Sequence, residues 1–116
     1  PPRAWIDFPT EDDVLSGVVN VSGWAYNEDI GIESVELIIG GAVVGKANYG
    51  APRPDVVAAM DIKTDPNAPG LGFNIEIDSS TVENGRTELA IDLINKQGSR
   101  TRYGQRLIGI LNERDI

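Results

Sequence analysis

The alternation of hydrophobic and polar residues along the chain predicts a protein built of β-strands. Its clearest part lies between residues 18 and 39, where two alternating stretches flank an acidic turn at residues 27–31. A period of two residues is typical of a strand with one buried face. The residues expected on the buried face are Val19, Val21, Gly23 and Ala25 before the turn and Val35, Leu37 and Ile39 after it. We therefore predict two strands joined by a tight turn.

The same periodicity predicts five further strands, over residues 4–8, 42–49, 72–78, 88–93 and 100–111. Gly40-Gly41 supplies a two-residue hairpin turn before the strand at 42–49. The residues predicted to fill the core are Ile6, Phe8, Val19, Val21, Val35, Leu37, Phe73, Ile75, Ile77, Leu89, Ile91 and Leu93. About seven short strands connected by hairpin turns favour an all-β Greek-key sandwich over a barrel or an α/β fold.

The alternation breaks over residues 50–70, which we predict to be one long loop excursion from the sandwich. Four of the seven prolines lie here, and residues 55–60 are a candidate for one helical turn. We expect residues 1–112 to form a single domain and residues 113–116 to be a linker stub to a following domain. The start at Pro1, without a methionine, adds to the expectation that the chain is part of a longer protein.

The composition excludes several kinds of chemistry. The 116 residues include no cysteine and no histidine, which rules out disulfides, cysteine zinc sites, thiol nucleophiles and serine–histidine catalysis. The net charge of −8 repels phosphate groups, so we expect neither nucleic acid nor an anionic membrane as a partner. A run of about 18 apolar residues, which a membrane span needs, is missing from the sequence. Because no recognisable pair of carboxylates suits glycosidase chemistry, we expect no enzymatic activity.

Several short motifs resemble those of bacterial immunoglobulin-like domains. They are Ile6-Asp7-Phe8-Pro9, Val14-Leu15-Ser16-Gly17, Val21-Ser22-Gly23-Trp24-Ala25, Ile32-Glu33-Ser34-Val35-Glu36-Leu37, Gly40-Gly41, Gly72-Phe73, Gly85-Arg86-Thr87-Glu88-Leu89 and residues 92–98. The segment Tyr49-Gly50-Ala51-Pro52-Arg53-Pro54-Asp55-Val56 resembles an insertion carried by one subgroup. The resemblance implies an immunoglobulin-like sandwich in an extracytoplasmic bacterial protein, either secreted or attached to the cell surface. It also implies a spacer or binding module without catalysis of its own.

Trp24 is the most informative single residue, because strict alternation places its large side chain on the outer face of the sheet beside Tyr26. Three explanations stay open. In the first, the excursion at 50–70 folds back and buries the indole ring. In the second, Trp24 and Tyr26 form an exposed platform with Tyr49 or Trp5, on which a sugar ring stacks. In the third, a β-bulge turns Trp24 inward.

Charged and polar residues of the excursion are candidates for ion or ligand binding. Arg53 and Asp55 are close enough in sequence to pair and tie the loop, whereas the alternative is that Arg53 binds the carboxylate of a ligand or an acidic sugar. The candidate oxygen ligands for calcium are Asp55, Asp61, Asp65 and Asn67. Their spacing lacks the regular positions of a helix-loop-helix calcium site, so an ordinary solvated loop is the alternative. We expect no other cofactor.

These observations favour a non-catalytic accessory or spacer module of a larger secreted or cell-surface bacterial protein, whose partners are the neighbouring domains of the same polypeptide. The alternative is a carbohydrate-binding module that holds a polysaccharide on the outward-facing Trp24 and Tyr26 and on the 50–70 loop. A spacer predicts that the excursion buries Trp24, and a binding module predicts that Trp24 is exposed. Adhesion to a protein partner through an exposed edge strand is a third hypothesis.

Overall fold

A computed structural model describes residues 1–113 and shows a sandwich of two β-sheets. The elements are β1 (Arg3–Phe8), β2 (Val14–Leu15), β3 (Val18–Tyr26), β4 (Ile32–Ile39), β5 (Ala42–Lys46), β6 (Asn48–Pro52), α1 (Pro54–Ala59), β7 (Gly70–Asp78), a 3-10 turn (Ser79–Thr81), β8 (Gly85–Asn95) and β9 (Arg100–Ile110). The first sheet has the strand order β1-β3-β7-β6, and the second has the order β2-β9-β8-β4-β5. This is the order of an immunoglobulin-like sandwich. The predicted all-β sandwich fold is therefore confirmed.

The hairpin predicted at Gly40-Gly41 is present and joins β4 to β5. Both glycines have positive φ angles, 60° and 81°, as a primed turn requires. The prediction of one strand over residues 42–49 is wrong, because this stretch divides into β5 at the edge of the second sheet and β6 at the edge of the first. The chain crosses between the sheets at Ala47, whose N–H donates to the carbonyl oxygen of Val35 at 2.8 Å.

The main core lies between the two sheets, and with one exception the predicted core residues lie in it or pack against it. The exception is Phe8, which is 39 % exposed. The register between β1 and β3 shifts after Ile6, and this irregularity turns Phe8 away from the core face. The core also contains Leu15 and Ile110, which were not predicted and which the short parallel pairing of β2 with β9 brings together.

The excursion contains the end of β6 and the helix α1, and α1 confirms the helical turn predicted near residues 55–60. Pro54 opens α1 near its first helical position, where a backbone N–H has no intrahelical partner. Val56 is the buried residue of α1 and packs into a second apolar cluster, on the outer face of the first sheet. Among residues 1–113, no helix is long and apolar enough to cross a membrane.

The first and last strands place the two described ends of the chain at opposite ends of the sandwich. Arg3 pairs with Tyr26, where β3 ends, whereas Asn112 bonds to Gly17, just before β3 begins. The predicted linker at 113–116 lies, apart from Glu113, outside the described residues.

Candidate functional site

Trp24 lies on the outer face of the first sheet, as the alternation predicts, and the excursion packs over it. Its ring stacks on Tyr26, with ring centroids 5.9 Å apart and an interplanar angle of 22°. Tyr26 is only 7 % exposed because it packs in the second apolar cluster with Val56, Ile62 and Leu71. Trp24 is half-buried against the same cluster. This arrangement matches the hypothesis of a structural cover, and the pair does not form an open platform.

Two carboxylates fasten the excursion to the end of β3. Glu28 accepts hydrogen bonds from the backbone N–H groups of Lys63 at 3.0 Å and Thr64 at 2.9 Å. These bonds hold the pKa of Glu28 below its ordinary value, because they favour the charged form. Asp65 is buried, and its Oδ2 accepts the backbone N–H of Asn27 at 2.7 Å. The cover over Trp24 is thus held by hydrogen bonds as well as by apolar packing.

The four residues predicted as calcium ligands have separate partners. Asp55 pairs with Arg53, Asp61 pairs with Lys63 at 3.5 Å, Asp65 accepts the backbone N–H of Asn67 at 2.7 Å, and the Asn67 amide donates to the carbonyl of Ile32 at 2.9 Å. Within residues 1–113, no three acidic side chains come together as metal ligands do. Calcium needs six to eight oxygens around one point, and the structure does not assemble these residues in that way.

Arg53 ties the excursion to the first strand. Its guanidinium donates to both carboxylate oxygens of Asp55, at 3.1 and 3.0 Å, and to Asp7 of β1 at 3.1 Å. The hydrogen bonds to Asp55, and then to Asp7, raise the pKa of Arg53, while Arg53 lowers the pKa of Asp55. The structure therefore uses Arg53 in the pairing that the sequence suggested as a loop tie.

Tyr49 lies apart from Trp24 because it packs against the main core rather than on the outer face. Its hydroxyl donates to the carbonyl oxygen of Ala25 at 2.7 Å. Burial raises the pKa of Tyr49, since a charged phenolate would lose its hydration. Of the four predicted ligand-binding residues, only Trp24 and Tyr26 touch each other through their rings.

The largest exposed aromatic surface belongs to Trp5, at the open side of the sandwich between β1 and β9. Trp5 is 55 % exposed, and the guanidinium carbon of Arg106 lies 5.4 Å from the centre of its ring. Two adjacent depressions of about 380 and 460 Å³ share four lining residues, Trp5, Gly104, Gln105 and Arg106, and together we call them the Trp5 groove. Alternation supplies a partial signal, since it puts Trp5 on the face opposite to the predicted core residues Ile6 and Phe8.

The position of Arg106 in the groove depends on an irregularity in β9 that alternation does not reveal. Gly104 has a φ of 72°, and the register between β8 and β9 shifts next to it. Arg106 donates to the carbonyl oxygens of Gly104 at 2.9 Å, Ile6 at 3.0 Å and Pro9 at 2.9 Å. Burial lowers the pKa of Arg106 from its ordinary value, although Glu11 acts in the opposite sense.

An ionic network lies on the outer face of the second sheet. Asp92 is 3 % exposed and accepts hydrogen bonds from Arg102 at 2.8 and 3.2 Å and from Arg100 at 3.0 Å. Arg100 also donates to Glu36 at 2.6 Å. The bonds from Arg102, and then those from Arg100, hold the pKa of Asp92 below its ordinary value. Each of the four side chains bonds to at least one of the others, which is typical of a structural network.

Comparison with known families agrees with this geometry. A family model described as Bacterial Ig domain matches residues 2–89, which is more than half of the chain. The chain therefore belongs to the bacterial Ig domain family. No curated protein sequence matches it.

Two of the solved structures that share its fold illustrate the likeness. One is the endo-beta-1,4-mannanase from Thermotoga petrophila, with a TM-score of 0.68 and 12 % identity over 97 % of this chain and 20 % of that chain. The other contains fibronectin(III)-like modules of Clostridium thermocellum CbhA, with a TM-score of 0.63 and 15 % identity over 98 % of this chain and 100 % of that chain. The chain thus spans a fifth of the mannanase and all of the fibronectin(III)-like chain.

Proposed function

We propose that the domain is a non-catalytic accessory module that separates and orients neighbouring domains of a larger bacterial protein. The observation that carries this proposal is the course of the chain through the fold. The chain enters at Arg3, at one end of the sandwich, and leaves at Asn112, at the other. The domain is elongated, measuring 54 × 26 × 19 Å along its principal axes. Domains attached at its two ends are thereby kept apart.

Asn112 fixes the direction in which the chain leaves the sandwich. Its Oδ1 accepts the backbone N–H of Gly17 at 2.7 Å, and its Nδ2 donates to the Ser79 hydroxyl at 3.2 Å. Its backbone N–H and carbonyl both bond to the side-chain amide of Asn84, at 2.9 Å each. Because four hydrogen bonds join this residue to the β2–β3 loop and to both ends of the β7–β8 connection, the exit is held in one orientation. A fixed position for Asn112 supports a module that sets the orientation of a domain attached after it.

The comparisons also support a modular role. The chain resembles a fifth of an endo-beta-1,4-mannanase and a complete chain of fibronectin(III)-like modules, so folds of this kind occur as parts of larger proteins. The absence of histidine and cysteine removes the commonest general base and the thiol nucleophile. These points favour a module that assists catalytic domains over one that carries a reaction itself.

We place the parent protein outside the cytoplasm, because the resemblance to bacterial immunoglobulin-like modules implies secreted or surface-attached proteins. An antibody raised against the domain should label intact cells or the culture medium of the source bacterium. Labelling that is confined to the cytosolic fraction would contradict this location.

The segment at 49–56 is proposed to mark a subgroup of the family. In this chain it supplies most of β6 and the start of α1, whose Val56 packs with Tyr26 beside Trp24. If the segment exists to cover that face, family members that carry it should have an aromatic residue aligned with Trp24. Members without it should have a small or polar residue there, and an alignment showing no such association would reject the subgroup.

The stiffness of the two connections tests the spacer role. Because the chain has no cysteine, cysteines introduced at Arg3 and Glu113 can be spin-labelled selectively and their separation measured by electron paramagnetic resonance. We expect a narrow distance distribution, which Asn112→Ala should broaden by removing two of the bonds at the exit. Asn20→Ala, on the exposed outer face of β3, is the matched control and should change nothing. A distribution as broad in the unaltered domain as in Asn112→Ala would refute a rigid spacer.

A further inference from the structure

We propose that the Trp5 groove binds an acidic polysaccharide, with a uronic acid ring stacked on Trp5 and its carboxylate facing Arg106. This binding function is separate from the spacer role and does not depend on it. It uses Trp5, which lies opposite Trp24 in the β1–β3 ladder, rather than Trp24 and Tyr26 themselves, which pack against the excursion.

The groove lies where both sheets are open at their sides. Within residues 1–113, β1 pairs only with β3, and residues 100–106 of β9 pair only with β8. The two strands therefore lie side by side without ladder hydrogen bonds, and Arg106 of β9 bonds across to the carbonyl oxygen of Ile6 in β1. The two depressions of the groove, about 380 and 460 Å³, are within the usual size range of sites for small ligands.

The indole of Trp5 is both exposed and held in position. Arg106 lies over one face of the ring, and its guanidinium is fixed by the carbonyl oxygens of Gly104, Ile6 and Pro9. Because one face is covered while 55 % of the residue remains exposed, the open surface must belong largely to the opposite face and the ring edges. A flat apolar face that is already ordered loses little conformational entropy when a ring stacks on it.

The polar groups around the indole that lack a partner within residues 1–113 are mainly donors. They are Nη2 of Arg106, Nη1 of Arg102 and the side-chain amide of Gln105. Several nearby acceptors are already engaged, because the three carbonyls bind Arg106 and Oε2 of Glu11 accepts the backbone N–H of Leu107 at 2.9 Å, which leaves the other oxygen of Glu11 as an acceptor in the groove. A ligand that satisfies the three donor groups must be rich in acceptors.

The charge of Arg106 points to an anionic ligand. Its hydrogen-bond partners are neutral carbonyls, and no carboxylate within residues 1–113 forms an ion pair with the guanidinium, although the charge of Glu11 acts on it without such a bond. A partly buried cation without a paired anion is costly, and a carboxylate brought beside it gains a charge-assisted hydrogen bond. A pyranose ring that carries a carboxylate combines this charge with a face of C–H groups that can stack on the indole.

The net charge of −8 does not prevent this recognition. At physiological ionic strength, charges separated by more than about 8 Å are largely screened. The guanidinium groups of the groove act on the carboxylate at contact distance, where screening is weak.

Titration of tryptophan fluorescence tests the proposal, with polygalacturonate and alginate as acidic polymers and xylan, mannan and dextran as neutral ones. We expect a saturable change with at least one acidic polymer and none with the neutral polymers. Trp5→Ala removes the reporting residue, so its affinity is measured by isothermal titration calorimetry, and it should weaken binding by at least about tenfold, equivalent to about 1.4 kcal/mol. Trp24→Phe is the matched control, because it keeps an aromatic ring opposite Trp5 in the β1–β3 ladder and should leave the affinity unchanged.

A second pair of variants leaves Trp5 in place. Gln105→Glu puts a negative charge at an exposed position in the groove and should also abolish binding of the acidic polymer. Gln97→Glu adds the same charge at the exposed hairpin between β8 and β9 and should have little effect. Failure of both acidic polymers to bind, equal binding by Trp5→Ala, or equal binding of neutral polymers would overturn the proposal.

Discussion

At the scale of single residues, Asp92 shows how this domain accommodates a buried charge. Its carboxylate lies among side chains of the outer sheet face, yet two arginines supply three hydrogen bonds to it. Burial alone would raise the pKa of Asp92, but the hydrogen bonds from Arg102 and Arg100 outweigh it, and the pKa is lowered. The carboxylate therefore stabilises the fold only while it is charged.

We expect Asp92→Asn to lower the free energy of unfolding by about 2 kcal/mol at neutral pH, since two arginines lose a buried ionic partner. Because the folded-state pKa lies below the unfolded value of about 4, this contribution is complete above pH 4 and is lost as the pH falls through the folded-state pKa. Urea unfolding at a series of pH values should show the two proteins converging in acid. Asp55→Asn, which alters an exposed arginine pair, should have a smaller effect.

At the scale of elements, the excursion behaves as a cover whose attachment has two parts. Its apolar side chains pack on Tyr26 and Trp24, and the Asp65 carboxylate joins it to the backbone at the end of β3. Loss of the carboxylate leaves a buried N–H without its acceptor, which typically costs about 1–3 kcal/mol. The cover and the strand beneath it should therefore loosen together.

Asp65→Ala should consequently expose Trp24 in an otherwise folded domain. In a Trp5→Phe background, where Trp24 is the remaining tryptophan, we expect its emission to shift to the red and acrylamide to quench it more strongly. Asp61→Asn is the control, because Asp61 lies in the same excursion but is exposed and pairs only with Lys63 within residues 1–113, and asparagine tolerates its φ of 51°. Equal quenching of the two variants would mean that Asp65 does not hold the cover.

Alternation identified the strands because each has one face on the core, and it placed Trp24 and Trp5 outward for the same reason. It failed where the ladder is irregular. The register shift after Ile6 turned Phe8 outward, and the shift beside Gly104 brought Arg106 into the Trp5 groove. Alternation also missed the crossing between the sheets at Ala47. A chain that passes from one sheet to the other can keep the two-residue alternation of hydrophobic and polar side chains, so the two strands look like one. The groove brings together β1 and β9, whose residues Ile6 and Arg106 are 100 positions apart in the sequence. A pattern of neighbouring residues cannot predict such a contact.

At the scale of the whole molecule, the arrangement of the acidic side chains determines whether calcium can stabilise the fold. Those of the excursion bond to arginine, lysine or backbone N–H groups instead of converging on one point. An ion that binds the folded state and not the unfolded state raises the free energy of unfolding. We therefore expect the melting temperature to be the same in calcium and in a chelator. A rise that saturates with calcium would show that these carboxylates rearrange to bind the ion.

The opposite placement of the two chain ends has a mechanical consequence. Tension applied at Arg3 and Asn112 acts along the strands, so the hydrogen bonds between β1 and β3 are loaded together in shear rather than broken one by one. Arg106 adds a bond from β9 to the carbonyl of Ile6. We expect single-molecule pulling from the two ends to give one cooperative rupture at high force, lowered by Arg106→Gln. Gradual extension at low force would show that the strands peel apart instead. A domain of this construction resists stretching in the direction in which flowing medium pulls on a tethered chain.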